Sequence, residues 1–239
     1  MDSTSVQLFK VKTTQLEMMQ IRGFNIPESE QWIPTSTVSD FIDRYKAMPG
    51  TFRSNLSQEY TSDDGRSVKV YYLESPEDRK RIGKEYVVGV VEELTSICDD
   101  KRQEDNKTNV INCLAHAIVI TETELTDDAR KALESIASAM ITIERFVYNE
   151  LSFTNIRHAL QPNSFRLMSE EESKDFLIRN KLNMKELPKY MMNEAVPKFF
   201  GAKPGRIFEI VRNNLHINSA IPDSLYYRVV VPKTLSSKK

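Results

Sequence analysis

Cys113 and His116 are the first residues to weigh, because a thiol beside an imidazole is the raw material of a cysteine nucleophile. They sit three apart at the head of an apolar run, Ala117-Ile118-Val119-Ile120, that reads as a strand. An odd spacing in a strand sends two side chains to opposite faces, so thiol and ring are not expected to meet. His116 is expected instead as a core or edge histidine. Glu170, Glu171 and Glu172 offer three carboxylates. Three acids at the start of a helix are explained by the helix dipole better than by acid–base catalysis. Cys98 and Cys113 form no CxxC pair, and His116, His158 and His216 are scattered, so no zinc ribbon or other metal site is expected. The chain also contains no GxxxxGK[ST] loop, no GxGxxG, no GxSxG elbow and no DxDxD-like cluster. No catalytic residue and no cofactor is expected, and no small-molecule substrate.

Binding chemistry remains. Arg212 and Arg228 lie on two segments, 206–212 and 225–231, that read as strands able to pair. A guanidinium there can grip carboxylates or carbonyls through two bonds at once. Lys198-Phe199-Phe200 with Lys203 is a weak basic and aromatic strip, and the two phenylalanines are expected in a core.

The elements that position these residues alternate between helix and strand. The spacing of Val6, Phe9, Leu16 and Met19 predicts a helix over 6–22, closed by Gly23. A second helix is expected from Thr37 or Ser39 to Lys46, ended by Pro49-Gly50. Asp64-Gly65 marks a hairpin turn, and strands are expected at 67–73, 86–91, 110–120 and 141–147. Residues 99–109 carry no apolar side chain and read as an exposed loop. Thr126, followed by Asp127 and Asp128, reads as the cap of a helix running to about Ala139. After a boundary near 149–163, Ser169 and Glu172 form a capping box, Leu187-Pro188 a turn, and 195–200 a helical turn ended by Gly201. The expected fold class is α+β: a mixed α/β domain at 1–150 and a small α+β domain at 151–239.

At 239 residues, with 40% hydrophobic and 28% charged residues, the composition is that of a globular protein. The first ten residues carry no basic start followed by an apolar run, and no stretch approaches the length of a membrane helix. The expectation is a soluble intracellular protein with no membrane partner. Net charge is −1, but residues 1–155 balance at −8 and residues 156–239 at +7. Such a split suggests two domains with different partners.

The ordered set in the second half is specific: Asn155-Ile156-Arg157-His158, Leu160, Pro162, Arg166-Leu167, Ser169, Glu171, Leu187-Pro188, Gly201, Lys203, Gly205, Ile210, Arg212 and Tyr227-Arg228-Val229-Val230. It resembles the C-terminal module of the fifth-subunit family of nuclear DNA-directed RNA polymerases, a module that stands alone as a small component of the archaeal polymerase. The resemblance extends to Met19-Gln20-Ile21-Arg22-Gly23-Phe24, Asp40-Phe41, Arg44-Tyr45, Val88-Gly89-Val90 and the segment from Ile118 to Leu133. It covers most of residues 8–231.

The resemblance implies a non-catalytic subunit, normally shared by polymerases I, II and III and working in the nucleus. For a chain from a large DNA virus the place would be a cytoplasmic viral factory or the virion. It implies an N-terminal domain in the lower jaw near downstream DNA, with Thr126, Ala129 and Arg130 as candidate DNA-facing residues. It implies a C-terminal domain anchored to the largest subunit, close to the small shared sixth subunit. The candidate docking residues are His158, Pro162, Arg166, Pro188, Glu194, Lys203, Arg212, Tyr227 and Arg228. Two departures stand out. The family's Thr-Pro-Ser-Ala motif reads Thr126-Asp127-Asp128-Ala129, whose added carboxylates repel phosphate and make the expected DNA contact weak. The family's Asp-Pro-Val reads Glu194-Ala195-Val196, keeping the acid and losing the proline. The competing reading is a stand-alone nucleic-acid-binding module that uses the basic C-terminal domain.

Overall fold

The computed structural model describes residues 3–74, 81–105, 115–137, 141–153, 156, 161–162, 164–212 and 223–232. The chain divides into two units, Met1–Phe153 and Thr154–Lys239, and its mixture of helices with two mixed sheets is α+β.

In the first unit, helix α1 (Ser3–Ile21) buries Leu8, Val11, Leu16, Met18 and Met19. Gly23 ends it at φ +82°. Its N–H donates to the Gln20 carbonyl, and that of Phe24 donates to the Met19 carbonyl. This is a Schellman stop, which favours glycine because a Cβ is strained at that φ. Helix α2 (Val38–Lys46) opens on a reciprocal capping box between Thr37 and Asp40. Short α3 (Phe52–Leu56) follows, and Phe9, Phe41, Tyr45 and Phe52 interlock at ring separations of 4.8–6.0 Å. Strands β1 (Gln58–Thr61) and β2 (Ser67–Tyr72) form a hairpin around Gly65, also at positive φ. Strands β3 (Ala115–Thr121) and β4 (Ile141–Val147) add in parallel, giving the order β1-β2-β3-β4.

Parallel neighbours need crossovers, and helices supply them. Helix α4 (Val88–Asp105) lies between β2 and β3, and α5 (Asp127–Ile136) between β3 and β4. Both pack on the face that carries Tyr71, Ala117, Val119 and Ile141. Val70, Tyr72, Ile118 and Ile120 alternate to the opposite face and are buried there as well. α1 lies on that side, its Lys12 ammonium 5.6 Å from the centre of the Tyr72 ring.

Two sequence expectations need correction here. The strand expected at 86–91 is instead the opening of α4. Val87, Val90 and Leu94 are buried, and Val91 and Ile97 pack beside them, which is the spacing of a helical stripe. A short run of valines has no visible period by itself. The loop expected at 99–109 is helical through Asp105. Lys, Arg, Gln and Glu are good helix formers, so an apolar-free stretch can continue a helix already begun. Residues 106–109 lie outside the described residues, as does Cys113.

The second unit is a four-stranded sheet in the order β5-β7-β8-β6. β5 (Ser164–Leu167) runs antiparallel to β7 (Ile207–Arg212), and β7 antiparallel to β8 (Ser224–Val231). β6 (Lys189–Met191), a strand not expected from sequence, runs parallel to β8. Helix α7 (Glu170–Asn180) begins at the expected Ser169–Glu172 capping box, after the short α6 (Tyr148–Leu151) of the first unit. One face of the sheet carries Ile207 and Val229, packed with Phe176 and Leu177 of α7. The other carries Phe208, Ile210 and Val230, packed with Val196 and Phe200 around α8 (Ala195–Phe199).

Candidate functional site

The alternation of β7 and β8 decides where each candidate side chain stands. Phe208 is opposite Arg228, Ile210 opposite Tyr226, and Arg212 opposite Ser224. Side chains two apart share a face, so Arg212, Tyr226 and Arg228 lie on the α8 side of the sheet. All three are exposed. The buried cluster on this face takes in Val230, Phe208 and Ile210. The Arg228 guanidinium stands 5.3 Å from the centre of the Tyr190 ring. Burial pushes the Tyr190 hydroxyl up to about 12; Glu194 adds to the rise, and Arg228 opposes it. Among the described residues neither Arg212 nor Arg228 meets a carboxylate. The two guanidiniums that sequence reasoning singled out thus share one face of the sheet.

Other candidates are already engaged within the unit. Arg166 faces Glu209 across the β5–β7 ladder, with contacts of 3.1 and 3.3 Å, and reaches Glu172 on α7 at 2.8 Å. These two carboxylates hold its proton more tightly than usual. Tyr227 stacks on Phe176 at 4.2 Å and its hydroxyl donates to Glu209 at 3.4 Å. Arg166 and Tyr227 therefore occupy the α7 side of the sheet and tie α7 to it. Glu194 stands before α8, where its carboxylate accepts from the Met191 N–H at 2.9 Å. Ala195 takes the first helical position in place of the family's proline, and the helix still forms, with Pro197 inside its first turn. Lys203 and Pro188 are exposed, Pro162 is buried, and His158 lies outside the described residues.

Sequence reasoning missed Leu225 and Tyr226, exposed by 53% and 49%. The signal was present. Adjacent strand residues point to opposite faces, so two neighbouring apolar side chains ask for cover on both sides. The basic strip expected at 198–203 does not form a base-stacking platform, because Phe199 is buried and Phe200 packs on Phe208 at 5.3 Å.

In the first unit the candidate DNA-facing residues separate. Thr126 caps α5 by accepting from the Ala129 N–H at 3.3 Å. Ala129 has no exposed surface and belongs to the core under α5, so it cannot face a ligand. Arg130 is exposed but paired with Asp127. His116 is half-buried near the start of the interior strand β3, its Nε2 2.7 Å from the Glu144 carboxylate, which also accepts two bonds from Arg22 at 2.8 and 2.7 Å. Arg22 and Glu144 thereby fasten the end of α1 to β4. No group of three or more metal-ligating side chains occurs among the described residues, and no described helix is long and apolar enough to cross a membrane.

Comparison with known proteins places this geometry. Residues 153–230 match the family described as "RNA polymerase Rpb5, C-terminal domain", which spans every strand of the second sheet and both its helices. The chain is 25% identical over 206 residues to "DNA-directed RNA polymerases I, II, and III subunit RPABC1" of Caenorhabditis briggsae, covering 86% of this chain and 89% of that one. It is 25% identical over 217 residues to "DNA-directed RNA polymerase subunit 5-like protein 1" of Arabidopsis thaliana, covering 90% and 92%. It is 20% identical over 206 residues to "DNA-directed RNA polymerase V subunit 5A" of the same plant, covering 86% and 82%. Its second unit thus matches that family's C-terminal domain, and its first unit aligns alongside in these full-length relatives.

Proposed function

We propose that this chain is a non-catalytic structural subunit of a multisubunit DNA-dependent RNA polymerase. The second unit anchors it to the largest subunit, close to the small shared sixth subunit, and the first unit forms part of the lower jaw near downstream DNA in the nucleus. The family match over residues 153–230 carries the reading. The names of the aligned relatives support it, since each is a subunit of an RNA polymerase. The exposed group of Arg212, Tyr226 and Arg228 supports an anchoring role, because an exposed aromatic flanked by two arginines that meet no carboxylate among the described residues has the composition of an interface centre. Contact with DNA is weak in this reading, because Asp127 neutralises Arg130 and Asp128 adds a further negative charge beside it.

The test is affinity purification of the tagged full chain from its own cells under high salt, with the co-purifying chains identified by mass spectrometry. Large polymerase subunits are expected. Their absence would end the proposal. Arg212→Ala and Arg228→Ala are each expected to lower recovery of those subunits several-fold, the scale of losing about 1–3 kcal/mol at an interface arginine. Full recovery with both variants would remove these side chains from the anchor.

A further inference from the structure

The β8 strand is longer than the strand beside it. β7 covers β8 from Ser224 to Val229, whereas β6 pairs only with Val229, Val230 and Val231. The direction of the backbone groups follows from the bonds that are made. Val230 donates to the Arg206 carbonyl and accepts from the Gly205 N–H, so its groups point towards β7. Val229 donates to the Pro188 carbonyl and Val231 accepts from the Met192 N–H, so their groups point towards β6. Successive residues alternate. The N–H and C=O of Tyr227 and Leu225 therefore point to the β6 side as well, into a lane that no described residue pairs with. The next ladder bond in that lane would run from residue 188 to the Tyr227 carbonyl, and residue 188 is proline, which has no N–H to give. Pro188 thus stops the internal ladder and leaves a half-edge about four residues long, roughly 13 Å of strand.

An open edge is a template for another strand, and folded proteins usually blunt theirs with charge or proline pointing into it. Along the edge itself Ser224, Leu225, Tyr226 and Tyr227 carry neither charge nor proline. Leu225, exposed by 53%, flanks the lane on the α7 side of the sheet, and Tyr226, exposed by 49%, flanks it on the α8 side. Arg212 and Arg228 stand on that second side with no carboxylate among the described residues.

Building on the polymerase-subunit reading, we infer that residues 224–227 of β8 accept an extended strand from a neighbouring polymerase chain, one that alternates apolar residues against Leu225 with carboxylates towards Arg212 and Arg228. The occupant is polypeptide, because the lane presents donors and acceptors in ladder order, and a phosphate backbone has no donors for the Leu225 and Tyr227 carbonyls. It is a different chain, because the cations on this face call for carboxylates, and residues 224–231 of a second β8 carry none.

The test uses the full chain, free and in the particle purified with it. Hydrogen exchange at the Leu225 and Tyr227 amides is expected to slow roughly tenfold or more in the particle relative to the free chain. Leu225→Pro removes the amide that faces the lane and spares the β7 ladder. It is expected to lower recovery of the polymerase subunits several-fold relative to Leu225→Ala, which keeps the amide, and a melting curve reports whether the proline variant is folded. If it is not, exchange in the unsubstituted chain decides alone. Equal exchange in the two states overturns the inference, and so does equal recovery with a folded proline variant. Protection already present in the free chain also overturns it, the lane then being filled from within in a monomer or by a second copy in a dimer. Recovery of no polymerase subunit would instead defeat the polymerase reading. In that case free exchange in whatever particle is obtained overturns the strand acceptor, and protection there keeps it for another partner.

Discussion

The charges buried in the first unit set its most sensitive residues. Lys12 has no exposed surface, and its ammonium lies 2.6 Å from Glu30, 2.9 Å from the Tyr60 hydroxyl and 3.0 Å from the Leu56 carbonyl. Burial lowers the Lys12 pKa against the pull of Glu30. Removing one member of such a pair leaves a charge without compensation. Glu30→Leu is expected to cost about 3–5 kcal/mol, and adding Lys12→Met to recover part of that loss, as read from urea unfolding. Glu144 makes a second prediction. Burial pushes its carboxyl up, but Arg22 and His116 outweigh that and bring it from 4.5 down to about 2. The folded carboxylate thus binds its proton less tightly than the unfolded one. Its stabilisation is complete above the unfolded value and is lost as pH falls from about 4.5 towards about 2. The loss is on the order of 3 kcal/mol, and Glu144→Gln is expected to flatten that part of the stability–pH curve.

Among the elements, α4 is the one whose local sequence misleads. Gly89 reads as a bulge in a strand, yet it sits exposed in the first turn of α4, and a Cβ there would meet nothing within 4 Å. Gly89→Ala is therefore expected to raise stability by about 0.5–1 kcal/mol, since alanine loses less backbone entropy in a helix. A strand or bulge would predict the opposite sign, so a single thermal melt separates the two. Ser169 shows the other case, where local chemistry specifies the element fully. Its hydroxyl accepts from Glu172 N–H at 3.0 Å, and the Glu172 carboxylate accepts from Ser169 N–H at 2.7 Å. Ser169→Ala is expected to cost about 1 kcal/mol in the same measurement.

For the whole molecule the question is how an acidic half and a basic half divide the work. Arg130 lies near the start of α5, and Asp127 holds it. Replacing Asp127 by Pro and Asp128 by Ser removes two negative charges and frees Arg130. Thr126 keeps its capping role, and proline takes the first helical position, where its fixed φ suits. Stronger crosslinking of this unit to downstream DNA in the assembled polymerase is expected, with a steeper salt dependence. Unchanged crosslinking would place α5 away from the duplex.

Local rules carried much of this protein. The stop at Gly23, the caps at Thr126 and Ser169, the Asp64-Gly65 turn and the pairing of 206–212 with 225–231 were legible, whereas the sequence left Thr37 and Ser39 both open as the cap of α2. The placement of Arg212 and Arg228 on neighbouring strands was legible too, since the pairing of those strands could be read. Tertiary structure decided the rest. α4 is a helix because its valines pack on β2 and β3 from one side, a fact with no short-range signature. Arg166 and Tyr227 are held inside the unit because Glu209 lies between them on the neighbouring strand. Ala129 is buried because α5 lies on the sheet. Among the described residues β6 pairs with only the last three residues of β8, because it is short and begins after a proline, and only the ladder shows which way the remaining backbone groups point.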